Sequence, residues 1–105
     1  MRLIPLTLAG LGLTFVLAGS AAAASEKVTD SDFLKANRCR GLAAGIASDT
    51  SGFDAFIKSQ DRGRDPAVDQ MANQEQDRAL RQARNPERAS KVQAELADLC
   101  QTFKR

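Results

Sequence analysis

The sequence predicts an all-α fold: a small four-helix domain closed by one disulfide between its first and last helices. Three observations carry this expectation. Apolar residues recur at three- and four-residue steps in four separate segments. No window shows the alternating β-branched pattern of a strand. The segments are parted by short polar stretches that hold capping residues and prolines.

The first helix is expected to start around Asp30-Ser31, either of which can cap it with a side-chain oxygen, and to run through Phe33, Leu34, Cys39, Leu42, Ala43 and Ile46. Cys39, Leu42, Ala43 and Ile46 share one face, while Gly41, Ala44, Gly45 and Ser48 share the opposite one. From Gly41 to Ala47 there is no charge. A helix that is apolar or small all round is a buried helix, so this one is expected at the centre of the fold. The Gly41-x-x-x-Gly45 spacing, with Ala44 and Ser48, forms a strip where another helix can approach closely. Either a helix of the same chain or a partner can fill it, and the first is favoured because a four-helix domain must cover its central helix.

A turn at Ser48–Gly52 precedes a short second helix, capped by Thr50 or Ser51 and carrying Phe53, Phe56 and Ile57 as a plug for the core. Asp61-Arg62-Gly63-Arg64-Asp65 reads as a polar loop, after which Asp65-Pro66 supplies a cap and a first-turn proline for a third helix over about 66 to 84. Its stripe of Val68, Met71, Ala72, Ala79, Leu80 and Ala83 is narrow, which places it on the surface. Asn85-Pro86 repeats the signal and opens a fourth helix, with Ala89, Val92, Leu96, Leu99 and Phe103 as its inward seam. Glu87 with Lys91 and Lys91 with Glu95 are spaced for i,i+4 ion pairs.

Residues 1–24 read as a cleaved secretory signal peptide: Arg2, an apolar run from Leu3 to Val16, and small residues at Ala21–Ala24 before polar Ser25. The competing reading is a retained membrane anchor. Alanine and glycine at the end of the run favour a peptidase, leaving residues 25–105 as a single helical domain with no stable membrane anchor. Ser20 follows Leu17-Ala18-Gly19, so the thiol that a bacterial lipoprotein signal requires is missing. A periplasmic or secreted location follows. In an oxidising compartment Cys39 and Cys100, the two cysteines of the chain, pair as one disulfide. Closing a loop of about sixty residues stabilises the fold by roughly 4 kcal/mol in the chain-entropy model.

Composition narrows the function. The sequence has 105 residues, fifteen Lys and Arg against thirteen Asp and Glu, and no His, Trp or Tyr. Near-neutral charge without aromatic stacking residues argues against nucleic acid. Two cysteines without histidine or C-x-x-C spacing do not make a tetrahedral set, so no metal and no other cofactor is expected. No catalytic constellation is visible; Asp61 and Asp65 flank a turn and read as caps. Arginine is the better-represented binding residue, because its fork holds carboxylate or phosphate bidentately. Arg62, Arg64, Arg81, Arg84 and Arg88 are the candidates, beside Gly41, Ala44, Gly45 and Ser48, although the interleaved acids also suit local ion pairs.

The expectation is therefore a non-catalytic protein-binding module of the bacterial envelope, an accessory subunit or inhibitor whose partner is another envelope protein; self-association through the small-residue strip is a further option. In size, export, helicity and a single disulfide between Cys39 and Cys100, the chain also resembles the periplasmic acid-stress chaperones of the HdeA type. That resemblance implies an acid-activated chaperone as the alternative function. The placement of the cysteines differs from the family's and no motif aligns with it.

Overall fold

A computed structural model describes residues 27–104, and the expected signal peptide lies outside these residues. The described residues form four α-helices: α1 (Asp30–Gly45), α2 (Ser51–Gln60), α3 (Pro66–Ala83) and α4 (Ala89–Ala97). Two 3-10 turns, Pro86–Arg88 and Leu99–Phe103, flank α4. No strand occurs among the described residues. Cys39 and Cys100 are joined, so a disulfide ties the first helix to the last helical element.

α1 is the central helix, packed against every other α-helix and the C-terminal turn. Its N-cap is Thr29 rather than Asp30 or Ser31; the Thr29 hydroxyl accepts the Asp32 N–H at 3.1 Å. The helix ends with the Ser48 N–H donating to the Ala43 carbonyl and the Ala47 N–H to that of Ala44. This is a Schellman closure, and it puts Ala47 at a φ of 57°, the left-handed region that glycine usually occupies. Thr50 stands at the N-cap of α2 as expected, but its side chain makes no capping bond; Asp49, one residue earlier, accepts both the N–H and the hydroxyl of Ser51, each at 3.0 Å. Those two bonds hold the Asp49 carboxyl below the usual carboxylate range. Asp65 and Asn85 cap as expected, accepting from Ala67 and Glu87.

The third helix corrects the expectation of a surface element. Its polar face is exposed, but Ala72, Ala79 and Ala83 are buried against α1. A Cβ on Gly41 would collide with the backbone carbonyl of Gln76, and one on Gly45 would lie 2.5 Å from the Ala83 methyl and 2.7 Å from the Leu80 carbonyl oxygen. Glycine and alanine therefore let two backbones meet directly. Hydrophobicity patterns underrate such a contact because its strength lies in close packing, not in large apolar side chains.

The fourth segment is also corrected. It is not one continuous helix: α4 stops at Asp98, whose backbone (φ −114°, ψ −83°) leaves the helical region, and a 3-10 turn follows. Side chains three apart align in a 3-10 turn, so Cys100 and Phe103 both face inward. Of the expected seam, Val92 and Phe103 are buried, Leu96 is half-buried, and Ala89 and Leu99 are exposed. Glu95 pairs with Arg38 rather than with Lys91. The core gathers Phe33, Leu42, Phe53, Phe56, Val92, Phe103 and the disulfide around the alanines of α1 and α3. Phe56 and Phe103 meet edge to face with centroids 5.4 Å apart, a favoured aromatic geometry.

Two stability predictions follow opposite intuitions. Gly41→Ala raises helix propensity by about 1 kcal/mol, yet the new methyl meets backbone that cannot swing away. Overpacking of this kind costs about 1 to 3 kcal/mol, so urea denaturation should show a net loss of stability. Ala47→Gly relieves a left-handed residue, and the same measurement should show a gain of about 1 kcal/mol.

Candidate functional site

Two features of the surface are built by more than one element. The first is a groove of about 460 Å³ between α1 and the C-terminal turn, with Lys35, Arg38, Cys39, Glu95, Leu99 and Phe103 among its walls. Cys39 brings one end of the disulfide, whose Cα atoms stand 5.7 Å apart, into its lining. Its polar wall is Arg38, whose Nε and Nη2 donate to the two Glu95 oxygens at 2.8 and 3.1 Å while Nη1 donates to the Gln82 side-chain oxygen at 2.9 Å. One guanidinium thus joins α1, α3 and α4, and its planar fork fixes the carboxylate in both position and rotation. The hydrogen bond to Glu95 holds the Arg38 pKa above its ordinary value, against the lowering effect of burial. On the rim, Leu99 leaves 67% of its surface in water.

The second feature is a smaller depression of about 320 Å³ beside the α1–α3 pair, bordered by Asn37, Asp61, Asp69 and Gln76. Asn37 is buried, but it is satisfied: it donates to the Phe33 carbonyl at 2.9 Å and accepts from the Gln76 amide at 2.6 Å. A hydrogen bond between the Asp61 and Asp69 carboxyls raises the Asp69 pKa.

The candidate binding residues separate into distinct groups. Gly41 and Gly45 face α3 of their own chain, which occupies the strip at backbone distance, so the partner-groove reading of these two glycines is set aside. Ala44 is half-buried and Ser48 exposed, on the last turn of α1 and just beyond it. Arg64 is a structural clamp: its side chain is only 6% exposed. It donates to Asp30 at 2.7 Å, to the Val28 carbonyl at 2.7 Å and to the Gln60 carbonyl at 2.9 Å. Its guanidinium lies 4.7 Å from the Phe33 ring centroid, a cation–π stack. All three of its nitrogens are used within the chain, which withdraws it from partner recognition. Arg62, Arg81, Arg84 and Arg88 are exposed, and none of them has an ion pair among the described residues.

Sequence reasoning missed Arg38, Glu95 and Leu99 as neighbours. Arg38 and Glu95 stand 57 positions apart, and no spacing rule connects them. Glu95 has a further consequence. One of its oxygens and the Sγ atoms of Cys39 and Cys100 all lie within 4.8 Å of one another. While the sulfurs are bonded to each other they are not metal ligands, and a ligand count based on residue spacing reaches the two cysteines without this carboxylate.

No helix among the described residues is long and apolar enough to cross a membrane, and the disulfide fits an oxidising extracellular compartment. Comparison with protein-family models, with curated proteins and with solved structures finds no match.

Arg64 should prove irreplaceable for stability. Arg64→Ala should cost about 1.5 to 3 kcal/mol, the scale of hydrogen bonds to charged groups. Arg64→Lys should recover little, because a single ammonium cannot serve three acceptors and a ring face; thermal denaturation of both variants checks this.

Proposed function

We propose that the protein is an exported, non-catalytic protein-binding module of a bacterial envelope, acting as an accessory subunit or inhibitor, and that the groove beside the disulfide receives its partner. The observation that carries this reading is Leu99, a large apolar side chain left mostly in water at a groove whose lining includes the disulfide-bonded Cys39. A single exposed leucine is ordinary; one set at the mouth of a rigid groove is an anchor position. Rigidity matters because a surface that does not have to be ordered on binding loses less affinity to entropy. The exposed Arg81, Arg84 and Arg88, without ion pairs among the described residues, supply cations for acidic groups of the partner.

The acid-activated chaperone is the competing proposal; the small size, the helical fold and the single Cys39–Cys100 disulfide support it.

A photo-crosslinking residue placed at position 99 in the exported chain should yield one discrete adduct in intact cells, and the same residue at exposed position 91 should yield none. Leu99→Asp should abolish co-purification of that adduct's protein and leave stability within about 0.5 kcal/mol, as expected for a surface site. Equal labelling at both positions, or none at 99, contradicts the assignment of the groove. Suppression of client aggregation at pH 2 by the purified protein would transfer the function to the chaperone reading.

A further inference from the structure

We propose that Cys39, Cys100 and Glu95 form a site for a thiophilic divalent cation of the zinc type, which becomes available when the disulfide is reduced. The proposal stands on the convergence of three elements. Cys39 comes from the middle of α1, Glu95 from the last turns of α4 and Cys100 from the C-terminal 3-10 turn, and their ligand atoms already lie within 4.8 Å of one another. Two thiolates bound tetrahedrally to one zinc ion at about 2.3 Å each stand roughly 3.8 Å apart. Cysteines with Cα atoms 5.7 Å apart reach that separation largely by side-chain rotation. The carboxylate supplies a third ligand, and water from the groove completes the tetrahedron.

Charge and surroundings agree with the ligand set. Two thiolates and one carboxylate carry three negative charges; the cation and the Arg38 guanidinium carry three positive ones. The filled site is neutral, which a position with two buried ligands and one half-buried one requires. Arg38 already holds both Glu95 oxygens, as outer-shell donors hold a ligating carboxylate, and each oxygen keeps a lone pair for the metal. Soft sulfur ligands select zinc-like ions over magnesium or calcium. Entry is provided by the groove, which has Arg38, Cys39 and Glu95 on its walls. Lys35, the other cation on that wall, is exposed, and water screens its charge.

The chemistry balances with an external dithiol as reductant. The dithiol gives two electrons and two protons to the Cys39–Cys100 bond, breaking it into two thiols, and itself closes to a disulfide. The cation then displaces the two thiol protons to solvent as two metal–sulfur bonds form. The two cysteines thus fasten the C-terminal turn to α1 by a covalent bond when oxidised and, joined by Glu95, through a metal when reduced. This inference is independent of the protein-binding reading, because it concerns the two cysteines and Glu95 rather than Leu99.

The test is titration of the reduced mature protein with cobalt(II), whose thiolate charge-transfer and tetrahedral ligand-field absorption report coordination directly. The expected result is one-to-one binding, a higher melting temperature for the reduced protein with cobalt than without, and no binding by the oxidised protein. Glu95→Gln should weaken binding by at least about tenfold, the scale on which even outer-shell losses are felt. Because that change also removes the Arg38 ion pair, carbon-13 NMR of the Glu95 carboxyl in the unaltered reduced chain provides a second reading: its resonance should shift in step with added zinc. Absence of the charge-transfer band, binding without a rise in melting temperature, or a Glu95 carboxyl that does not respond to zinc would each overturn the proposal.

Discussion

Because Cys100 is bonded to Cys39 on the central helix, the chain after Ala97 does not continue as an α-helix along the seam that its apolar residues describe. The bond draws position 100 inward, and the tighter 3-10 turn brings Phe103 with it onto Phe56. Residues at other phases of that turn face outward, which is why Leu99 is exposed. The groove, its apolar rim and the closeness of Glu95 to both sulfurs are consequences of this one cross-link. Its loop spans 61 positions, long enough for the restriction of the unfolded chain to contribute on the order of 4 kcal/mol.

A second fastening is independent of the first. The α1–α3 pair meets through Gly41, Gly45, Ala79 and Ala83 at backbone distance, and polar contacts tie it along its length: Arg64 around the N-terminus of α1, Asn37 with Gln76 in the middle, and Arg38 with Gln82 farther along. Dispersion at close range and satisfied buried polar groups hold this pair together. The large side chains of α2 and the C-terminal turn then cover the other face of α1. A domain with so few large apolar residues remains marginal without the covalent closure, as small domains generally do.

Much of this was legible in the sequence. The helix count, three of the four helix spans to within a residue or two, the Asp65-Pro66 start of α3, the central position of α1 and the pairing of the cysteines all follow from local rules of periodicity, capping and redox chemistry, whereas Pro86 opens a 3-10 turn and α4 starts only at Ala89. Each miss has its own physical origin. The role of α3 was hidden because alanine and glycine contribute close contact without much hydrophobicity. The break at Asp98 was hidden because a helical repeat says nothing about a distant covalent constraint. The cap of α1 shifted by one residue to Thr29, and at α2 the capping bond comes from Asp49 rather than from the N-cap Thr50, since neighbouring short polar side chains compete for the same N–H groups. At the site, the arginines crowded in sequence proved either exposed or, like Arg64, internal clamps, whereas Arg38 and Glu95 became neighbours only through the fold.

The claim on which everything else rests is that the bridge positions the C-terminal turn while the α1–α3 pair holds without it. Residue-resolved hydrogen exchange of the oxidised and the reduced protein, at one pH and temperature, measures both parts at once. The account predicts that reduction strips protection from Leu99–Phe103 and leaves the amides of Ala36–Ala43 and Ala72–Ala83 slow to exchange. Uniform loss of protection along the whole chain, or an undisturbed C-terminal turn, would contradict it.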